Sequence, residues 1–325
     1  MANYLFLHQD YDGWQNLAVD EFLLRNVGEN DIILHIYVNA NCVVIGKHQN
    51  PWRECNLATM EADGVKLVRR ISGGGAVFHD LGNVNFSFIA HRKNYNVPRQ
   101  MDVIIRTVQA LGIPAEFSGR NDILVQGKKF SGNAFCEIRE GCQHHGTLLV
   151  NSDLSKLPKY LCVSEKKIRA KGVTSVQSRV CNLSELVRGL NADTVKQALC
   201  TAFAEEYGHY KSMQLSADAI GEIQELYKKQ SSWQWRLGRT PRFDMLLEDR
   251  FSWGELQLHL TVKEGVITEA EVFSDALDVN LPPLIAKAIQ GATLSPLELK
   301  ARIHSVAKES LELMEVADWL SSQSL

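Results

Sequence analysis

No apolar run in this chain approaches eighteen residues, so none of it reads as a membrane-spanning helix. Neither sign of charge is in large excess: the formal net charge is -3, which excludes nucleic-acid binding by bulk electrostatics. The start, MANYLFLHQDYDG, lacks the basic residues and apolar stretch of a secretory signal, and a cytoplasmic location is expected. No C-x-x-C pair occurs among the seven cysteines, Cys42, Cys55, Cys136, Cys142, Cys162, Cys181 and Cys200. Their odd number fits reduced thiols in a reducing compartment. Cys136, Cys142, His144 and His145 lie close together, but their spacing matches no common zinc pattern. Internal repeats and low-complexity segments are also missing.

What is present suits a large core. Of 325 residues, 45% are hydrophobic, enough for one or two domains. Asp12-Gly13-Trp14-Gln15 resembles a capping box, and Trp14, Leu17, Ala18 and Phe22 recur behind it at helical spacing. The segments 32–38 and 42–46 are apolar and β-branched and are expected to pair as a hairpin across Asn39-Ala40-Asn41. Val84, Phe86 and Phe88 alternate with Asn85 and Ser87, giving a strand with one core face and one polar face. Ile104, Val108 and Leu111 mark a helix ended by Gly112 and Pro114. Asn182-Leu183-Ser184-Glu185 carries a cap signal ahead of the helix of Val195, Leu199, Ala202 and Phe203. Gly238 and Pro241 mark the best domain boundary. Beyond it, Leu256, Leu258, Leu260 and Val262 alternate with polar residues, Glu264-Gly265 turns the chain, and the remainder is helical. The expected organisation is α+β: a large mixed-sheet domain over 1–236 and a small α+β domain over 242–325.

Two stretches carry chemistry. In the first, Arg69-Arg70 precedes Ser72-Gly73-Gly74-Gly75-Ala76-Val77-Phe78-His79. Successive glycine N–H groups can curl around an anion, and the arginines add forked donors for phosphate or carboxylate. Taken alone, the glycines fit a surface turn equally well. They form neither a P-loop nor a G-x-G-x-x-G fingerprint. The second stretch runs from Gly119-Arg120-Asn121-Asp122 to Gly127-Lys128-Lys129-Phe130-Ser131-Gly132. Asp122 is the type of ligand that holds Mg2+ beside nucleotide phosphates, and Lys129 is a compact charge able to meet phosphate and carboxylate together. A hairpin with solvated lysines is the plainer alternative. Between Lys156 and Arg179 seven Lys/Arg face only Asp153 and Glu165, as a solvated face or as a loop closing over an anion would.

At these residues the sequence resembles the bacterial lipoate–protein ligase A family, in its long form with a C-terminal small domain. The likeness covers essentially the whole chain. It includes NLAVDEF at 16–22, VVIGKHQNPWRECN at 43–56, RRISGGGAVFHDLGN at 69–83 and GRND at 119–122. KFSGNAF at 129–135, HHGTLL at 144–149, KGVTSVQSRVCNL at 171–183 and RFSWGELQLHL at 250–260 continue it. The resemblance implies the biotin/lipoate ligase type of fold and an ATP-dependent reaction in two steps. Lipoate is first activated to lipoyl-AMP with release of pyrophosphate. The lipoyl group then passes to a lysine of an apo lipoyl domain, in a 2-oxoacid dehydrogenase complex or the glycine-cleavage H protein.

It also implies Lys129 as the catalytic lysine, and Arg70, Gly75, Ala76, Val77, Phe78, Asp122 and Lys129 as the ATP and adenylate site, with Asp122 on Mg2+. Lipoate would meet Leu17, Val19, Val44, Ser72, Gly73, Gly74, His79, Lys129, Ala134 and, at the slot mouth, His145. The loop 171–179 would close over the adenylate, and a monomer without nucleic-acid or membrane partners is expected. A rival on the same fold is a lipoyl- or octanoyltransferase that works through a Cys162 thioester or from preformed lipoyl-AMP. A non-catalytic binder of lipoyl domains is the alternative from another class, and intact Lys129 and glycine motifs argue against it.

Overall fold

The computed structural model describes residues 2–118, 121–162, 180–238 and 245–323. Two compact units emerge: Met1–Ile45, Pro51–Ile71 and Ala76–Arg236 form the first, and Gly46–Asn50, Ser72–Gly75 and Leu237–Leu325 the second.

The first unit begins with β1 (Ala2–Leu7), α1 (Gly13–Asn26), β2 (Asp31–Val38) and β3 (Cys42–Ile45). It continues with α2 (Pro51–Glu54), α3 (Leu57–Ala62), β4 (Lys66–Arg69), β5 (Val77–His79), β6 (Asn83–His91) and α4 (Val97–Gln109). β7 (Glu116–Ser118), β8 (Asp122–Val125), β9 (Lys128–Ile138), β10 (Gly141–Leu149) and α5 (Lys156–Tyr160) follow. α6 (Ala192–Tyr207), β11 (Lys211–Ser212), α7 (Ala217–Ser231) and α8 (Trp233–Arg236) complete it.

Eight strands make a mixed sheet in the order β11-β1-β2-β6-β10-β9-β8-β7. β1 is parallel to both neighbours, and the other pairs are antiparallel. One face buries Leu34, Ile36, Phe86 and Phe88 with Ile104 and Val108 of α4 and Leu199 and Phe203 of α6. Each such side chain contributes roughly 1.5–3 kcal/mol. The other face packs Ile33, Ile89 and Cys136 against Ala18, Val19, Leu23 and Leu24 of α1 and Ile223 of α7.

Three local expectations change. The segments 32–38 and 42–46 do not form a hairpin: β2 lies in the large sheet, while β3 pairs with β4 and β5 in a separate three-stranded sheet. The polar face of β6 is present as expected, and its Asn85 and Ser87 are as buried as the phenylalanines. At α1, Asp12 accepts the Trp14 N–H at 2.9 Å, but its own N–H goes to Asp10, so the box is half formed. The Asn182–Glu185 box closes, with the Asn182 N–H on Glu185 Oε1 at 3.1 Å, yet it caps a single 3-10 turn. The long helix α6 starts at its own cap, Asn191.

In the second unit β12 (Met245–Phe251), β13 (Gly254–Lys263) and β14 (Val266–Ser274) form an antiparallel sheet. Glu264 and Gly265, at φ 51° and 75°, make the tight turn the sequence indicates. Leu256, Leu258 and Leu260 pack against α9 (Leu281–Ile289), α10 (Pro296–Ala307) and α11 (Leu311–Ser321). The architecture is the expected α+β, with a large mixed sheet and a small C-terminal domain.

Candidate functional site

Strand alternation sends His35 and Tyr37 of β2, Asn85 and Ser87 of β6, and Gln143 and His145 of β10 to the α1 side of the sheet. This makes a buried polar layer where an apolar one is the norm. Its centre is Asp20 of α1, 3% exposed. Asp20 accepts from His35 Nδ1 at 2.8 Å and from the Tyr37 hydroxyl at 3.1 Å, which offsets the cost of burying a carboxylate. Leu17, Asp20, Arg70, Ile71, Gln143, His145 and Gln230 line a small cleft.

Arg70 supplies the cleft's fixed positive charge. It is 7% exposed, and its guanidinium donates to the Val44 carbonyl at 3.2 Å. Burial lowers its pKa to about 10, so it stays charged at neutral pH. His145 is lowered to about 4 by burial, with Asp20 acting against the shift and Arg70 with it. His79 is lowered to about 3 by burial, then by Arg70 and His145. Among the described residues of the cleft, Arg70 is a permanent cation beside the neutral imidazoles of His79 and His145, a set that favours an anionic ligand group over a cationic one.

Around this centre the expected slot residues divide. Ala134 pairs with His145 across β9 and β10, and Leu17 shares a small apolar cluster with Val44 and Tyr37, with Val77 packed against it. Val19 packs into the other cluster, with Ile33 and Ile223. Phe78 and His79 lie on β5, opposite Val43 and Cys42.

Lys129 stands at the start of β9. Its ammonium meets Asp122 Oδ1 at 2.7 Å, with side chains 33% and 38% exposed, so both remain reachable from solvent. Gly132 makes room for this side chain: a Cβ there would lie 2.8 Å from Nζ. Asp122 is a single carboxylate, and among the described residues no three His, Cys, Asp or Glu converge as a metal cage. One carboxylate suits Mg2+ that arrives on nucleotide phosphates rather than a resident ion.

Ser72–Gly75 belongs to the second unit. There the Gly74 N–H donates to the Ala276 carbonyl at 2.9 Å, and Gly74 sits at φ 91°. A Cβ at Gly73 would come within 2.2 Å of that same carbonyl. These two glycines are thus required by a turn and by the chain's own backbone approach.

Comparison with known proteins decides the family. Residues 12–204 match the lipoyl protein ligase A/B catalytic domain, and residues 240–320 match the bacterial lipoate protein ligase C-terminus. The chain belongs to the lipoyl protein ligase A/B family. The lipoate complex of LipL1 from P. falciparum aligns at 30% identity and TM-score 0.87, covering 99% of this chain and 100% of that one. The bi-partite lipoate protein ligase of Thermoplasma acidophilum, described with its E2 lipoyl domain, aligns at 28% identity and TM-score 0.67 over 75% of this chain and 100% of its own. Lipoate-protein ligase A bound with ATP aligns at 27% identity and TM-score 0.66, over 74% and 100%.

Within this family fold, sequence reasoning missed Asp20. The signal was available: Asp20 is an acid in the helical stripe between Leu17 and Leu24. Arg69, offered alongside Arg70 as an anion donor, is spent elsewhere. It donates to the carbonyls of Trp235 at 2.9 Å and Arg236 at 2.8 Å, tying down α8. Gly119, Arg120 and the loop 171–179 lie outside the described residues.

Proposed function

We propose that this protein is an ATP-dependent lipoate–protein ligase. The lipoate carboxylate attacks the α-phosphorus of ATP, forming lipoyl-AMP and expelling pyrophosphate. The amine of an acceptor lysine on an apo lipoyl domain then attacks the acyl carbonyl, and AMP leaves. Such chemistry is mostly positioning and charge neutralisation. Lys129 places its ammonium between carboxylate and α-phosphate. Arg70 and the 75–78 segment hold the nucleotide, and Asp122 takes the Mg2+ that the phosphates bring. Leu17, Val19, Val44, His79, Ala134 and His145 receive lipoate. The catalytic domain is 1–236 and the accessory domain 242–325. Acceptors are lipoyl domains of 2-oxoacid dehydrogenases and the H protein, and the enzyme acts as a cytoplasmic monomer. Among the described residues no helix is long and apolar enough to cross a membrane.

The observation that carries this reading is the reachable Lys129 ammonium, held at Asp122 above Gly132. Likeness to an ATP-bound ligase over three quarters of the chain supports it. The thioester rival is weakened at Cys162, whose thiol is pushed up by burial and by Glu54, away from the nucleophilic thiolate. The test is mass analysis of apo H protein incubated with the enzyme and free lipoate. Lipoylation only with ATP and Mg2+ establishes the ligase. Lipoylation only from supplied lipoyl-AMP makes it a transferase without the activating step.

A further inference from the structure

The proton on His79 is fixed by a chain of hydrogen bonds that begins at the backbone. Asn16 Nδ2 lies 2.9 Å from the Asp10 carbonyl and 3.3 Å from that of Val38. Carbonyls only accept, so this end of the Asn16 amide is the NH2. The same nitrogen meets one end of the Asn39 amide at 2.9 Å, which must therefore be the oxygen, Oδ1. Asn39 then turns its NH2 toward His79 Nδ1 at 3.1 Å. Nδ1 accepts, and the proton of the neutral ring sits on Nε2.

That Nε2–H has no hydrogen-bond partner among the described residues, although His79 is only 5% exposed. Buried donors are nearly always paired, so an unpaired one calls for an acceptor. His79 is not itself in the cleft lining, but alternation along β5 puts it on the same face as Val77, which packs against the cluster of Leu17, Val44 and Tyr37, and Leu17 lines the cleft. The charged and titratable groups that act on the ring are Arg70 and His145, both of which line the cleft.

We propose that Asn39 is a positioning residue, holding His79 in the tautomer that presents Nε2–H to an anionic oxygen, carboxylate or phosphate, of the ligand bound beside Arg70 and His145. This rests on the proposed function for the identity of that ligand. A neutral ring suits the place. Arg70 supplies the charge, and a second cation beside it would be repelled. A neutral N–H adds direction without that repulsion, and burial keeps it neutral at working pH. Neither Asn39 nor its link to His79 stands out in the sequence, because the relay joins residues 16, 39 and 79 from three separate elements.

The test uses long-range proton–nitrogen correlation spectra of histidine rings in the full-length, nitrogen-15-labelled protein, with His79→Gln to assign the signals. The expected result for free protein is a pure Nε2–H tautomer, unchanged from about pH 5.5 to about pH 8. An Nδ1–H ring, or titration in that range, overturns the proposal. Lipoate alone and AMP alone are then added in separate samples. A shift of the His79 Nε2–H with lipoate assigns the carboxylate, and a shift with AMP assigns the phosphate. Calorimetric binding of both without any shift overturns the proposal. If neither ligand binds, the ligase reading fails and takes this one with it, while the free-protein tautomer still reports on Asn39. Asn39→Leu, which keeps the volume but removes the donor, should populate both tautomers and weaken binding roughly tenfold. A single tautomer and unchanged affinity in that variant would show that Asn39 does not set the ring.

Discussion

Replacing Gly132 with alanine should separate the fold from the chemistry. The added methyl would sit 2.8 Å from Nζ and 2.9 Å from Cε of Lys129, closer than real Cβ atoms come to any neighbour. The lysine end is flexible and β9 is not, so the ammonium gives way and leaves Asp122. For stability this is a small change. A partly exposed ion pair is worth about 0.2–1 kcal/mol. Losing glycine's freedom in the unfolded chain returns about 0.4–1 kcal/mol. The two nearly cancel, and the melting temperature should stay within about 4 °C of wild type. For activity the change is large, because a reacting group misplaced by ~1 Å costs on the order of 100-fold. Thermal unfolding and pyrophosphate release from lipoate and ATP measure the two effects side by side. Wild-type adenylation in folded Gly132→Ala would refute the reasoning, since the resting geometry of Lys129 would then be irrelevant. The double variant with Lys129→Ala adds a control. If Gly132 acts only through Lys129, it should be no slower than Lys129→Ala alone.

Lys129→Ala itself should abolish adenylate formation and leave the unfolding transition in place; normal pyrophosphate release would remove the residue from its role. Cys162→Ser should keep full ATP-dependent lipoylation, and loss of activity there would revive the thioester route. Arg69→Leu should cost about 3 kcal/mol by leaving the Trp235 and Arg236 carbonyls without their charged donor, a drop of roughly 6–12 °C in melting temperature. Burial depresses His79 and His144 to about 3 and His145 to about 4, so below their ordinary value of 6.5 the unfolded chain binds protons that the folded one refuses. Stability is therefore full above about pH 6.5 and falls toward pH 4 by about 1.4 kcal/mol per unit for each histidine. Urea midpoints that do not change between about pH 7 and pH 5 would contradict these burials.

The sequence patterns that were readable are local ones, and their limits are physical. Alternation in 84–88 shows that a strand has two kinds of face, but not what lies over each. Here α1 covers the polar face, and Ser87 on it accepts from Gln143, which lines the cleft. The β2–β3 reading failed because apolar β-branched runs state a preference for strand and none for a partner. Val38 ends in the large sheet and Cys42 begins in another. Arg69 and Arg70 are adjacent and chemically identical, yet one ties down α8 and the other charges the cleft, because neighbours along an extended chain point opposite ways. The long motifs fared differently. They identified the family through residues whose purpose appears only in three dimensions. Gly132 is glycine for the lysine three residues before it, and Gly73 for a carbonyl two hundred residues later. In such a site, the residues most easily named from sequence are the charged ones, while Asp20, Asn39 and Gly132, which adjoin His35 and Tyr37, His79, and Lys129 in turn, are small or uncharged or hidden in an apolar stripe. Their effect should therefore be sought in geometry-sensitive readouts, tautomer and rate, rather than in stability.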